Sequence, residues 1–221
     1  MTEFSGAGLA GAFHRDVVGS LIQQAMPGLR YAAARLGSGS DVLGFDDPTS
    51  RDHDWGCRLT VLVDEADRAA VEPLAAYFER ELPPSYAGYP TRFATTWSPV
   101  PTHEIQVDTV MGFATGRLGV DPRNGLSDLE WLCLTGHGVL ETVGGPVFHD
   151  ATTELARLRA TLEWYPEPVE RFVLASGWQR LAQGMVFVGR TADTGQHLQS
   201  VFLACQLVRD LMRLAFLLER K

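Results

Sequence analysis

Two acids on alternate positions, Asp52 and Asp54, follow a small Gly/Ser turn, Gly37-Ser38-Gly39-Ser40-Asp41. If 52–54 is extended, both carboxylates leave the same face, because strand side chains alternate with period two. Two carboxylates that close repel unless a cation sits between them. Such a pair suits a hard divalent cation, Mg2+ or Mn2+, and hard cations with oxygen ligands are the usual handlers of phosphate. Glycine lets backbone approach phosphate oxygens closely, and the hydroxyls of Ser38 and Ser40 can donate to them. The turn matches neither GxGxxG nor GxxxxGK[ST], so neither a Rossmann turn nor a P-loop is indicated. Further along, Glu104, Gln106 and Asp108 alternate with Ile105, Val107 and Thr109. That stretch offers a third carboxylate, as two-metal phosphoryl transfer requires. The pattern points to metal-dependent chemistry on a nucleotide.

Composition limits the alternatives. The chain has 221 residues, 45% of them hydrophobic, and a net charge of −8. It is long enough for one large domain or two small ones and too apolar for disorder. There is no apolar run long enough to span a membrane, and residues 1–13 lack the pattern of a signal peptide. Cys57, Cys133 and Cys205 form no CxxC pair, so neither a zinc site nor a disulfide framework is signalled. His103, His137 and His149 show no HExxH spacing. A reducing, cytoplasmic setting is expected. The acidic balance argues against broad binding to nucleic acid, but a bound cation could offset a nucleotide's charge locally. The oligomeric state is left open.

The elements that must position these residues follow from periodicity. Helices are expected over 14–29, 67–82, 128–136 and 152–164, then over 166–189 as one helix or two, and over 196–221. Strands are expected over 31–36, over a buried segment that starts near Asp52 and includes RLTVLV, over 92–97 and over 103–111. Residues 42–50 and 83–90 read as loops. The fold class is therefore α+β, a mixed sheet flanked by helices over 14–126 followed by a helical domain over 127–221. His53 should face away from the two aspartates, and Trp55 is expected in the core. Arg209, Asp210 and Arg213 read as a solvated helix face, with a cleft-lining, phosphate-binding role for Arg209 as the alternative. The chain ends at Glu219-Arg220-Lys221 without a helix-stop signal, so the natural protein is expected to continue.

The order GS, spacer, DxD, later acid on a strand resembles the nucleotidyltransferase superfamily that includes DNA polymerase beta and aminoglycoside nucleotidyltransferases. The wording GSGSDVLGF, SRDHDWG, WYPEPV and VRDLMRL is similar to an uncharacterised bacterial branch known only as a domain of unknown function. The resemblance implies that Gly37, Ser38, Gly39 and Ser40 hold the triphosphate and that Asp52 and Asp54 bind Mg2+. By position it favours Asp108 as the third acid, with Glu104 as the alternative ligand. It implies transfer of a nucleoside monophosphate to a hydroxyl of an unidentified small-molecule or protein acceptor. Similar proteins continue past residue 221 with a Tyr- and Trp-containing tail. A catalytically inactive, nucleotide-binding or antitoxin-like module is one alternative. Another is a HEPN-type ribonuclease, because Arg190 and His197, with six residues between them, resemble its Arg/His signature, with Arg190 otherwise a cleft candidate.

Overall fold

A computed structural model describes residues 4–47 and 53–220. The fold is α+β, with a five-stranded mixed sheet and a helical C-terminal part. Two compact units make it up, one of residues up to Leu126 together with Cys133–Glu163, the other of Ser127–Leu132 and the chain from Trp164 on. The boundary expected at 127 is therefore corrected. The cause is a strand the sequence pattern did not reveal, Val147–Asp150, which returns to pair with Ala32–Ala34 and takes its neighbouring helices with it.

In the first unit the strands are β1 (Tyr31–Ala34), β2 (Arg58–Val63), β3 (Ser85–Tyr86), β4 (Tyr89–Pro90), β5 (Arg92–Thr95), β6 (Ser98–Thr109) and β7 (Val147–Asp150). The main sheet runs β5-β6-β2-β1-β7, and β3 with β4 forms a separate small ribbon. β1 is antiparallel to β2, and β2 is parallel to β6, with Arg58 beside Glu104 and Leu62 beside Asp108. Strand alternation sends Leu59, Val61, Ile105 and Val107 to one face. There they meet Leu9, Phe13, Ile22, Leu74 and Phe78 in the main core. The opposite face carries Arg58, Thr60, Glu104, Gln106 and Asp108.

The helices over the core face are α1 (Gly6–Phe13), α2 (Gly19–Ala25) and α3 (Val71–Glu81). α1 begins earlier than the periodicity suggested, because the Ser5 side chain accepts the Gly8 N–H and caps it. A π-turn over His14–Val18 joins it to α2 and shifts the register, so that Leu9, Phe13, Val18 and Ile22 all reach the core. α4 (Val110–Leu118), capped by Thr109, and α6 (Gly136–Val143), capped by Thr135, follow β6. α7 (Leu155–Thr161) is anchored by Asp64, whose carboxylate accepts the Thr153 N–H at 2.9 Å and the Glu154 N–H at 3.2 Å.

Cys57 is fully buried, and burial pushes its thiol up to about 11, whereas Cys133 and Cys205 are exposed. A buried thiol is both shielded and protonated, and the thiolate is the reactive form. Titration of the native protein with a thiol reagent at pH 8 is therefore expected to count two fast-reacting cysteines, with the third appearing only in denaturant. Fast modification of Cys57 in the native state would contradict this packing.

The second unit holds α5 (Asp128–Cys133) as far as Leu132, α8 (Glu167–Asp193) and α9 (His197–Leu218). Ser127 and Glu130 form a reciprocal cap on α5. The stretch expected as one helix or two is one helix, α8, which begins after Pro166 and carries Pro168 in its first turn, where the missing N–H costs nothing. Gly195, at φ +76°, turns the chain between α8 and α9. Gly184 lies where an added Cβ would meet Leu207 at 2.6 Å, so a glycine is what lets the two helices close together. Among the described residues, no helix is long and apolar enough to cross a membrane.

Candidate functional site

The Gly/Ser turn is built around a guanidinium. Arg35, directly after β1, is 2% exposed. It donates to both carboxylate oxygens of Asp41, at 2.7 and 2.8 Å, and to the carbonyls of Leu36 and Ser38, each at 2.7 Å. Asp41 is thereby a structural partner of Arg35. Gly37 at φ +86° donates its N–H to the Glu141 carbonyl at 2.8 Å, and Gly39 sits at φ +132°. Both angles are expensive for any residue with a Cβ. At Gly39 that Cβ would also lie 2.3 Å from Asp41 Oδ1 and 2.5 Å from Arg35 Nη2. Gly39→Ala is expected to cost about 1–3 kcal/mol, seen as a lowered thermal midpoint. An unchanged midpoint would mean that the clasp is looser than this.

A cavity of about 600 Å3 opens beside the turn, and its walls include Ser38, Gly39, Ser40, Asp54, Glu104 and Arg117. The expected extended DxD geometry is corrected at Asp54. β2 begins only at Arg58, and Asp54 has φ +53°, so it lies in a loop ahead of the strand. The Asp54 carboxylate accepts the Thr96 N–H at 2.6 Å from the tip of the β5–β6 hairpin, and His53 Nδ1 lies 3.2 Å away. Burial alone would raise this carboxyl, but the Thr96 and His53 hydrogen bonds hold it below the usual range. Asp52 lies outside the described residues. His53 is exposed and hydrogen-bonded to Asp54, so it does not face away from that aspartate as expected. Trp55 does pack partly against the core, with its ring N–H donated to Asp46 at 3.3 Å. Trp97, 87% exposed at the hairpin tip, stands on the cavity rim.

The two candidates for the third acid lie apart. Glu104 and Asp108 share a face, but they are four residues apart, roughly 13 Å along a strand. The register with β2 sets Glu104 at the cavity and Asp108 at the far end of β6. There Asp108 accepts the Thr109 N–H at 2.7 Å and lies close to Arg68. Arg117 donates to Glu141 at 3.0 Å and to Gln106 at 3.3 Å. Sequence reasoning passed over Arg35, Arg58, Arg117 and Glu141. An arginine that ends an apolar strand just before a Gly/Ser turn was a usable signal for Arg35. The others are brought in by helices and register. Arg190, His197 and Arg209 are exposed on the helices of the second unit, with Arg190 and His197 on either side of the turn at Gly195.

Among the described residues, no group of three His, Cys, Asp or Glu side chains forms a metal-binding cluster. Asp54 and Glu104 still give the cavity hard oxygen donors. Mg2+ usually takes only one or two protein carboxylates and completes its shell with phosphate oxygens and water, so this donor set fits an ion that arrives with a nucleotide.

Residues 131–221 match a family described as a domain of unknown function (DUF4037). The matched part is under half of the chain. It contains α6, β7 and the α8–α9 pair, and it contributes Glu141 to the cavity, but it excludes the Gly/Ser turn, Asp54 and Glu104. No curated protein and no solved structure matches the chain.

Proposed function

We propose that the cavity binds a nucleoside triphosphate with magnesium and transfers its nucleoside monophosphate to a hydroxyl of a small-molecule or protein acceptor. One observation carries this reading: the Gly/Ser turn, Asp54 and Glu104, far apart in sequence, line the same cavity. The turn receives the β- and γ-phosphates through backbone N–H groups and the Ser38 and Ser40 hydroxyls. Asp54, with Asp52, and Glu104 supply carboxylate oxygens. Bound magnesium would neutralise phosphate charge and make the acceptor hydroxyl more acidic. A Glu104 carboxylate oxygen takes the proton of that hydroxyl. The hydroxyl oxygen bonds to the α-phosphorus, the bond from that phosphorus to the bridging oxygen breaks, and pyrophosphate leaves. The free cysteines support a reducing, cytoplasmic setting.

The test incubates the whole protein with magnesium and labelled ATP, GTP, CTP or UTP, and follows nucleotide binding, pyrophosphate release and label transfer to acceptors. Asp54→Asn should abolish release. Absence of binding with all four nucleotides would end the proposal. A second reading is a binding module without turnover. It is favoured by the Asp54 carboxylate, which is already engaged by Thr96. It predicts tight triphosphate binding with no pyrophosphate released across a broad acceptor screen. Nothing favours the ribonuclease reading over these two. Metal-free RNA cleavage that is lost in His197→Ala would revive it.

A further inference from the structure

Three guanidinium groups converge beneath the Gly/Ser turn. Arg35, Arg58 and Arg117 all line a second cavity of about 270 Å3, which shares Arg58, Glu104, Gln106 and Arg117 with the larger one. Two of the three are matched by carboxylates, Arg35 by Asp41 at 2.7 Å and Arg117 by Glu141 at 3.0 Å. Arg58 is not. It is half-buried, and among the described residues it makes no ion pair, although Glu104 is its neighbour in register. Its hydrogen bonds are long, Nη1 to the Asp54 carbonyl at 3.2 Å and Nη2 to Ser38 Oγ at 3.4 Å. Burial lowers the Arg35 pKa first, and the nearby charges of Arg58 and Arg117 lower it further. The cations therefore feel one another, and among the described residues Arg58 alone of the three makes no ion pair.

A partly desolvated, unmatched guanidinium costs free energy, and an anion bound across its planar fork would offset that cost. We propose that Arg58 anchors an anion subsite that takes the terminal phosphates of the triphosphate. The inference rests on the nucleotide reading above, and it assigns the phosphate grip to a residue outside the Gly/Ser and acidic motifs. The position fits the role. Arg58 touches Ser38 of the turn on one side and the Asp54 backbone on the other, so it joins the two halves of the motif at the point where phosphate oxygens would lie. Lysine would keep the charge and lose the two-pronged geometry.

The test is calorimetric titration of the whole protein with inorganic tripolyphosphate, with each of the four nucleoside triphosphates plus magnesium, and with the matching nucleosides. It compares wild type, Arg58→Met and Arg58→Lys. Circular dichroism selects variants that keep the fold. Arg58→Met should weaken triphosphate and tripolyphosphate binding at least about tenfold, leave any nucleoside affinity unchanged and flatten the salt dependence, with Arg58→Lys in between. Equal triphosphate affinity in wild type and both variants would overturn the subsite and leave the nucleotide reading standing. Tripolyphosphate binding that needs Arg58, without binding of any nucleoside triphosphate, would keep the subsite and remove the nucleotide reading. No binding of either probe to wild type would overturn both.

Discussion

Asp41→Ala is expected to destabilise the protein by about 3–5 kcal/mol, the range for leaving one member of a buried ion pair uncompensated. The reason lies in Arg35, whose side chain is 3% exposed while that of Asp41 is 10% exposed. With the carboxylate gone, the guanidinium keeps two carbonyls but no counter-charge, and it still faces Arg58 and Arg117. For a protein of this size the loss should lower the thermal midpoint by roughly 10 °C, readable by circular dichroism. Arg35→Met should cost less, because Asp41 lies nearer to solvent and can be hydrated. The double variant Arg35→Met/Asp41→Leu should recover part of the Asp41→Ala loss, since it buries no unpaired charge. Recovery will be incomplete, because the Leu36 and Ser38 carbonyls lose the donor that holds them. All three variants should weaken tripolyphosphate binding through a loosened turn. An Asp41→Ala protein as stable as wild type would show that Arg35 does not depend on this pair.

What was legible in the sequence was local. The strand ahead of the Gly/Ser turn and the buried RLTVLV strand follow from short apolar runs, and the two polar/apolar faces of 103–109 follow from side-chain alternation; neither signal needs a partner. The two long C-terminal helices follow from a sustained helical period broken at Gly195. What could not be read was set by partners distant in sequence. Val147–Asp150 is too short and mixed to announce itself, and it is a strand because β1 offers it an edge. α1 is rich in Gly and Ala, so its helical period is faint until Leu9 and Phe13 are seen in the core. Around Asp54, alternation misled. Residues 53–57 do not extend β2 backwards, because the Asp54 carboxylate turns to cap the hairpin at Thr96.

The same contrast between parity and register governs the second large effect. Glu104→Gln is expected to lower turnover at least about a thousandfold, near 4 kcal/mol at 1.36 kcal/mol per tenfold, while Asp108→Asn stays within about threefold of wild type. Both are near-isosteric losses of charge on one strand face, so a generic disturbance of β6 would affect them alike. Position separates them. Glu104 is in register with Arg58 at the cavity, whereas Asp108 is in register with Leu62 and hydrogen-bonds the Thr109 N–H where α4 begins. Removing the Glu104 charge takes away an oxygen donor and the proton acceptor together, so kcat should fall with little change in KM. Asp108→Asn should instead register as a small loss of thermal stability, through the start of α4 and the neighbouring Arg68. The measurement is steady-state pyrophosphate release for both variants beside their melting curves. Collapse of Asp108→Asn with Glu104→Gln intact would reverse the assignment of the third acid. Full turnover in both would mean that no strand carboxylate takes part, and the chemistry would then have to rest on Asp52 and Asp54 alone.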